Sequence, residues 1–549
     1  MTHRFRWTSL TGLLLIATNA GAVEYRAVVV DARTRQPLAA RIYIEGPRQT
    51  WHFVDPAEPG GTAVPYREQW VPMPGSVERH TTITPHGFRI DLKPGTYRLT
   101  IERGKEYLPL ERSLNIEDHP ISETLELRRW ANLADHGWYS GETHVHRRIE
   151  ELPQVMLAED LNVAFPVTFW TTVSDQPPST APSNLRPTPD PLGARRDVGS
   201  DPVKVDSTHV ILPRNTEYEI FSVAGRRQIL GALFILNHRS RFQDTLPPVA
   251  SLAERAHQEG ALLDLDKHNW PWSFMLVPVA RVDLYELANN SVWRTEFGFR
   301  SSLVTPPDWM KIDSDAHGMT EWGWLDFGFQ TYYALLNCGF HLSPTAGTAS
   351  GVHPVPLGYG RVYVHLDGPF RVEDWLAGLK AGRSFVTTGP LLRVTANSLH
   401  PGHTFRSSQP GLQTLRIEGE ALSARPLDRI ELVVNGQIES VLKPVNEVMA
   451  DGGYRSPIVQ EVGLNRSGWV AIRCFERQPD GRVRFAHTGP FHVEVGGELV
   501  RPRRREVEWF IARMREELER NRTLRPDESL SEYRQALAIF EQIRKRAVD

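Results

Sequence analysis

A change of hydrophobic period limits this chain more than any other feature. From 130 to about 389, short apolar runs alternate with helical stretches, whereas the segments on either side keep mostly to the two-residue alternation of strands. The stretch 152–160 reads as a short helix before a β-rich run at 163–173. Residues 252–258 make an amphipathic helix stopped by Gly260, followed at once by a strand at 261–265. A further strand is expected at 282–288 and a further helix at 372–380, ending near Gly382. Strand–helix alternation requires parallel strands joined by crossovers, in an open sheet or a barrel. In both, chemistry gathers where strands end and loops begin.

The flanks obey a different rule. Residues 24–30, 41–45 and 87–92 read as strands, and Lys93-Pro94-Gly95 leads into 96–102 as a hairpin. Residues 46–80, rich in Pro, Gly and aromatics, are expected to form a long loop folded over a neighbour. The segment resembles the small β-sandwich modules of the carboxypeptidase-regulatory type. After Pro390, strands at 414–418, 429–434, 469–476 and 491–495, with Asn435-Gly436 as a hairpin turn, predict a second sandwich. The tail holds two helical stripes, Val507, Phe510, Ile511, Met514 and Leu518, then Leu530, Tyr533, Leu537 and Phe540. These are expected to pack on the body, with a partner as the alternative.

With 549 residues, two to four domains are expected. The 41 prolines and 41 glycines favour turns and long connections over helical bundles. The net charge of −3 gives no support to nucleic-acid binding. His3, Arg4 and Arg6, the apolar run 10–17 and Ala20-Gly21-Ala22 read as a cleavable signal peptide, and so as a periplasmic or secreted protein. The alternatives are an uncleaved anchor or a buried helix. No later stretch is long enough for stable membrane insertion. Cys338 and Cys474 can pair in an oxidising compartment, but two cysteines make no disulfide framework. The expected layout is a signal peptide at 1–22, a sandwich at 23–129, an α/β barrel at 130–389, a sandwich at 390–500 and a helical tail at 501–549.

Within the alternating region, His144-Val145-His146 places two imidazoles on one face of an extended segment, which suits a single metal ion. Taken alone, the pair is equally consistent with two satisfied histidines. Other polar residues fall at or beyond strand-like runs: Asp175, Glu217 and Glu219, His238, His268, Glu286, Asp315 and His317. Imidazole with carboxylate is the donor set of divalent hydrolytic sites, where metal-activated water attacks and a spare carboxylate moves the proton. Blander readings stand beside these. His238 can bond a backbone carbonyl, and Glu286 can pair with Lys267 or Arg281. Lys267 can steady an oxyanion or anchor Asp264 or Asp266. The Trp270–Trp272 cluster can wall a pocket or fill the core, and 501–505 is a solvated helix start.

The order of His-x-His, strand-end Asp, Glu after a loop, later histidines and Asp-x-His resembles the PHP superfamily of metal-dependent hydrolases. Tyr332 to Thr348, Gly360-Arg361 and the stretch from Gly382 to Pro390 are similar to its CehA/McbA, carbaryl-hydrolase-like group. The resemblance covers roughly 135 to 390. It implies a distorted (β/α) barrel with one to three divalent ions, zinc, manganese or iron, at the strand C-termini. It also implies hydrolysis of an ester, carbamate or amide, or phosphoester bond in a small-molecule or glycan-like substrate. His144, His146, Asp175, Glu217, His238, His268, Asp315 and His317 are the expected metal ligands, with Glu217, His268 and Lys267 in catalytic roles.

The chain departs from the family pattern twice. Gln176 stands where a histidine would follow Asp175, and Ala349 stands near where an acid would follow Thr345–Thr348. Asp315-Ala316-His317 has the right spelling but comes early; it either replaces the missing pair in space or is a surface turn. His353 is another candidate ligand. These departures motivate the alternative of a barrel that has lost catalysis and serves as an extracellular binding or scaffold protein.

Overall fold

A computed structural model describes residues 21–68, 77–180, 197, 199–478, 480–522 and 527–549. The stretch expected as a signal peptide lies almost wholly outside these residues. Among them, no helix is long and apolar enough to cross a membrane.

The N-terminal segment builds two sheets around one core. Val23–Asp31 pairs with Ile121–Leu127 and Phe88–Leu92, while Ala40–Gly46 pairs with Glu78–Ile83 and Gly95–Glu102. Alternate residues such as Tyr25, Val29, Ile42, Ile44, Leu99 and Ile101 meet between the sheets. The expected hairpin at Lys93-Pro94-Gly95 does not form. Phe88–Leu92 stays with the first sheet and Gly95–Glu102 joins the second, so the Pro-Gly turn carries the chain between sheets. The expected loop at 46–80 is also partly strand, since Ala63–Glu68 pairs with Glu78–Ile83.

The central region forms two runs of paired strands that share Ser343–Ser350. Trp138–Val145 lies parallel to Val163–Pro166 on one side and to Ser343–Ser350 on the other. Phe169–Val173 lies parallel to Thr216–Val223. Arg226–Leu236 then runs antiparallel to both Thr216–Val223 and Leu262–Leu265. Leu262–Leu265 is parallel to Leu284–Ala288, which is parallel to Ser343–Ser350. Leu152–Glu159, Ala250–Gln258, Glu321–Asn337 and Val372–Ala381 are the helices of this region longer than one turn. Gly382, with φ of 72°, closes the last of them in the left-handed conformation that glycine adopts without strain.

The sheet does not stop at the end of the alternating region. Ser384–Thr387 pairs with Arg361–His365 on one edge and with Val483–Thr488 on the other. Arg429–Val434 and Gln437–Leu442 form the expected hairpin, with Asn435 and Gly436 both at positive φ. The tail helices Arg504–Asn521 and Asp527–Arg544 pack on the body: Phe274 touches Trp509 and Phe510, and Val507, Met514, Tyr533 and Phe540 join the central core. Cys338 and Cys474 are buried free thiols.

Candidate metal centre

His144 lies near the end of Trp138–Val145, beside Gly347 of Ser343–Ser350. That neighbour has to be glycine. A Cβ there would sit 2.2 Å from the Cβ of His144 and 2.3 Å from Oε1 of Glu286. On its other side the His144 ring packs 4.4 Å from the ring of Phe234, and His146 packs 4.6 Å from Trp170. Aromatic walls fix both imidazoles, and their Nε2 atoms stand 3.1 Å apart.

Carboxylates close around this pair. Glu217 Oε2 is 3.2 Å from His146 Nε2, and Glu217 Oε1 is 3.9 Å from His144 Nε2. At the opposite nitrogen of His144, Nδ1 faces Glu286 Oε1 at 3.2 Å and Asp266 Oδ1 at 3.7 Å. Three overlapping groups have ligand atoms within 4.8 Å of one another: His144, His146 and Glu217; His144, Asp266 and Glu286; Glu217, Glu219 and Asp266. All six side chains are buried. Strand register accounts for part of this, because Glu217 and Asp264 both lie opposite Phe234 in neighbouring pairs.

The electrostatics of the cluster are dominated by burial. Among the described residues, Glu217, Glu219, Asp266 and Glu286 surround one ammonium, Lys267, which donates to Asp266 Oδ2. Burial pushes Glu219 up to about 8 against the pull of Lys267. Burial, with the Asp266 and Asp264 carboxylates, drives Glu286 well above the ordinary range. Asp266 goes down: burial opposes its charge, but Lys267 and then His144 outweigh that cost. A buried excess of carboxylate is expensive until it takes up protons or a cation. Two imidazole nitrogens with several carboxylate oxygens make a nitrogen–oxygen donor set suited to zinc, manganese or iron, and the residues present fit such an ion.

A second layer holds the first. Thr345 donates its hydroxyl to Asp264, with oxygen distances of 3.0 and 2.9 Å. Thr348 donates through its backbone N–H, at 2.7 Å, and its hydroxyl to Glu142. Burial raises Asp264 and Glu142 to about 8 each. Tyr66 reaches over from the N-terminal sheets. It donates to the carbonyl of His353, accepts from Gly351 N–H, and lies under the Arg147 guanidinium.

Of the expected ligands, the structure brings together His144, His146 and Glu217 and leaves the others outside these groups. Asp175 is exposed in the turn after Phe169–Val173, because the chain leaves the sheet before reaching it. His238 is buried but occupied, with Thr216 at 2.8 Å and the carbonyl of Ser240 at 2.6 Å. His268 lies in the turn beyond Leu262–Leu265, so the alternation that aligns Asp264 and Asp266 no longer applies. Its ring packs edge-on against Trp324 and Phe327. Asp315 and His317 form an exposed turn held by Arg300 and by the backbone N–H of His317. His353 accepts from Trp293 Nε1 at 3.2 Å and lies 3.4 Å from Asn290 Nδ2. Lys267 anchors Asp266, the second of its two sequence readings.

Asp266, Glu286 and Glu219 are the members that sequence reasoning noticed without assigning to the metal. A period-two pattern would have found two of them. His144/His146, Glu217/Glu219 and Asp264/Asp266 are three acid or imidazole pairs spaced by two, in or immediately beyond a strand.

No family model and no curated protein matches the chain. A solved two-domain protein from Bacteroides vulgatus, described as containing a predicted PHP-like metal-dependent phosphoesterase, is similar at 11% identity, with 65% of this chain and 95% of that one covered and a TM-score of 0.28. At that score the likeness decides neither topology nor chemistry.

Proposed function

We propose that this chain is a metal-dependent hydrolase of PHP-like type, with a distorted barrel made by the ring of strands from Trp138–Val145 to Ser343–Ser350. One observation carries the reading. His144 and His146 from one strand end, and Glu217, Asp266 and Glu286 from three others, converge in overlapping groups within ligand distance, in a buried site that holds more carboxylate than cation. A divalent ion bound there supplies Lewis-acid activation of water and polarises a carbonyl or phosphoryl oxygen.

The chain's own residues prepare that site. His144 and His146 present Nε2 toward each other, and Glu217 spans the two rings. Lys267 holds Asp266, and Asp266 and Glu286 meet at Nδ1 of His144. Lys267 donates to Asp266, and we assign it the role of positioning that carboxylate. The missing acid at Ala349 does not leave the centre short of carboxylate, since Asp266 and Glu286 supply two. This favours an enzyme over a degenerate scaffold. The substrate class we propose is a small ester, carbamate or phosphoester met outside the cytoplasm, the export resting on the basic, apolar and small-residue order of residues 1–22.

The test uses the full chain stripped with chelator and reloaded with Mn²⁺ or Zn²⁺. Aryl esters and phosphodiesters should be turned over only by the reloaded protein. His144→Ala combined with Glu217→Gln should lose both turnover and bound metal. Turnover that survives chelator and this double change would refute the metal chemistry; metal bound without turnover of either substrate class would favour the scaffold.

A further inference from the structure

His146 stands one residue beyond Trp138–Val145, and a neighbouring turn takes over its backbone. Its N–H donates to the carbonyl of Ser350 at 2.9 Å. Gly351 packs so close that a Cβ there would lie 2.7 Å from the carbonyl carbon of His146. That turn is itself strained. Ala349 adopts φ of 53°, in the left-handed region that a residue with a side chain occupies at a cost, and Gly351 follows at 110°. Backbone of this kind keeps its shape only where surrounding contacts fix it.

Tyr66 supplies such contacts from a distant part of the chain. It lies in Ala63–Glu68, and its hydroxyl donates to the His353 carbonyl at 2.8 Å while accepting the Gly351 N–H at 2.7 Å. One oxygen therefore ties two backbone groups of the turn together. The ring is buried, with the Arg147 guanidinium 3.9 Å from its centroid and the His80 ring 5.1 Å away. The sheet that carries it is docked on the helix Leu152–Glu159. Gln154 donates to the carbonyl of Thr82, opposite Val64 in the neighbouring strand, at 2.6 Å. Arg103 donates to Asp160 at 2.8 Å, and Arg41 pairs with Glu159 in a buried contact.

We propose that Tyr66 is a positioning residue of the metal centre, its hydroxyl locking the 349–353 turn against His146 so that this imidazole is held ready for the ion. The proposal rests on the metal-dependent reading given above. It makes the N-terminal sheets part of the site rather than an appended binding module. Groups that orient a ligand without touching the ion govern how tightly and in what geometry the ion is held. Here that group comes from the far side of a contact between two regions of the chain, so metal affinity depends on the contact staying closed.

The experiment measures Zn²⁺ affinity by chelator competition, and the visible spectrum of the Co²⁺-loaded form, on the full chain and two variants. Tyr66→Phe keeps the ring and deletes both hydrogen bonds. It should weaken metal binding about 10–100-fold and shift the Co²⁺ bands. Tyr25→Phe deletes a hydroxyl bond to Glu123, 2.6 Å long, in the other N-terminal sheet and should change neither readout. A parent chain that binds no metal would refute the metal centre and this role with it. A parent that binds metal, with Tyr66→Phe changing neither affinity nor spectrum, would refute the role of Tyr66 alone. So would an equal loss of affinity in Tyr25→Phe. If Tyr66→Phe does not fold, hydrogen exchange in the parent decides. Metal loading should slow the Gly351 amide and Ala63–Glu68 together, and slowing confined to the His144 strand overturns the proposal.

Discussion

At the scale of single residues, the centre depends on neighbours that bind nothing themselves. Gly347 matters for what it lacks, because any side chain there would enter the space of His144 and Glu286. Lys267 matters because it keeps Asp266 ionised and aimed at His144. Groups of this kind that orient ligands typically change metal affinity about 10–100-fold when removed. Lys267→Met is therefore expected to weaken metal binding at the His144 centre by about that factor, read by competition with a calibrated chelator on folded protein. An unchanged affinity would mean that Asp266 is held without its lysine.

At the scale of elements, helix ends show where the tail belongs. Ala250–Gln258 has no side-chain cap of its own at its start. Instead, Glu532 from the last helix accepts the backbone N–H groups of Val249 and Ala250, both at 2.7 Å. A carboxylate at a helix N-terminus satisfies orphan donors and opposes the helix dipole. Glu532→Ala should cost about 1 kcal/mol, by analogy with lost N-caps, measured as a shifted denaturant midpoint. Hydrogen exchange should quicken at both the tail and the start of Ala250–Gln258. Faster exchange in the tail alone would show that the contact is incidental.

At the scale of the whole molecule, the sheet running from the centre through Ser384–Thr387 into Val483–Thr488 ties the alternating and all-β regions together. Burial along this body holds several histidines neutral. It lowers His487 and His492 to about 3 and His238 to about 4. A histidine with a folded pKa below its unfolded value takes up a proton on unfolding. Its contribution to stability is full above about 6.5 and drains as pH falls toward the folded value. Glu102 adds to this at lower pH: burial opposes its charge, but Arg294 and Arg41 bring it down to about 2. The carboxyls of Glu142, Glu219 and Asp264, raised by burial to about 8, take up protons on folding and act in the opposite direction between pH 8 and about 4.5. Below that range only the histidine and Glu102 losses remain, so stability should fall from about pH 4.5 toward 3, by about 1.4 kcal/mol per pH unit for each group that titrates only when unfolded. Guanidinium midpoints measured across that window test this, and a flat series would contradict it.

Local patterns determined much of this protein. Period-two and helical spacing located several strands and helices of the alternating region, the Asn435-Gly436 hairpin and the packed faces of the tail, because these rest on interactions within a few residues. The His144/His146 pair was legible for the same reason, since a strand puts both rings on one face. Tertiary structure decided what sequence order cannot contain. It carried the chain between sheets at Pro94-Gly95, kept His268 out of the ligand groups, and left Asp175 and Asp315 exposed. It also brought Asp266 and Glu286, more than a hundred residues from His144, to the second nitrogen of that ring. A metal centre is a property of converging strand ends, and convergence is set by register and pairing across the sheet rather than by any stretch of chain.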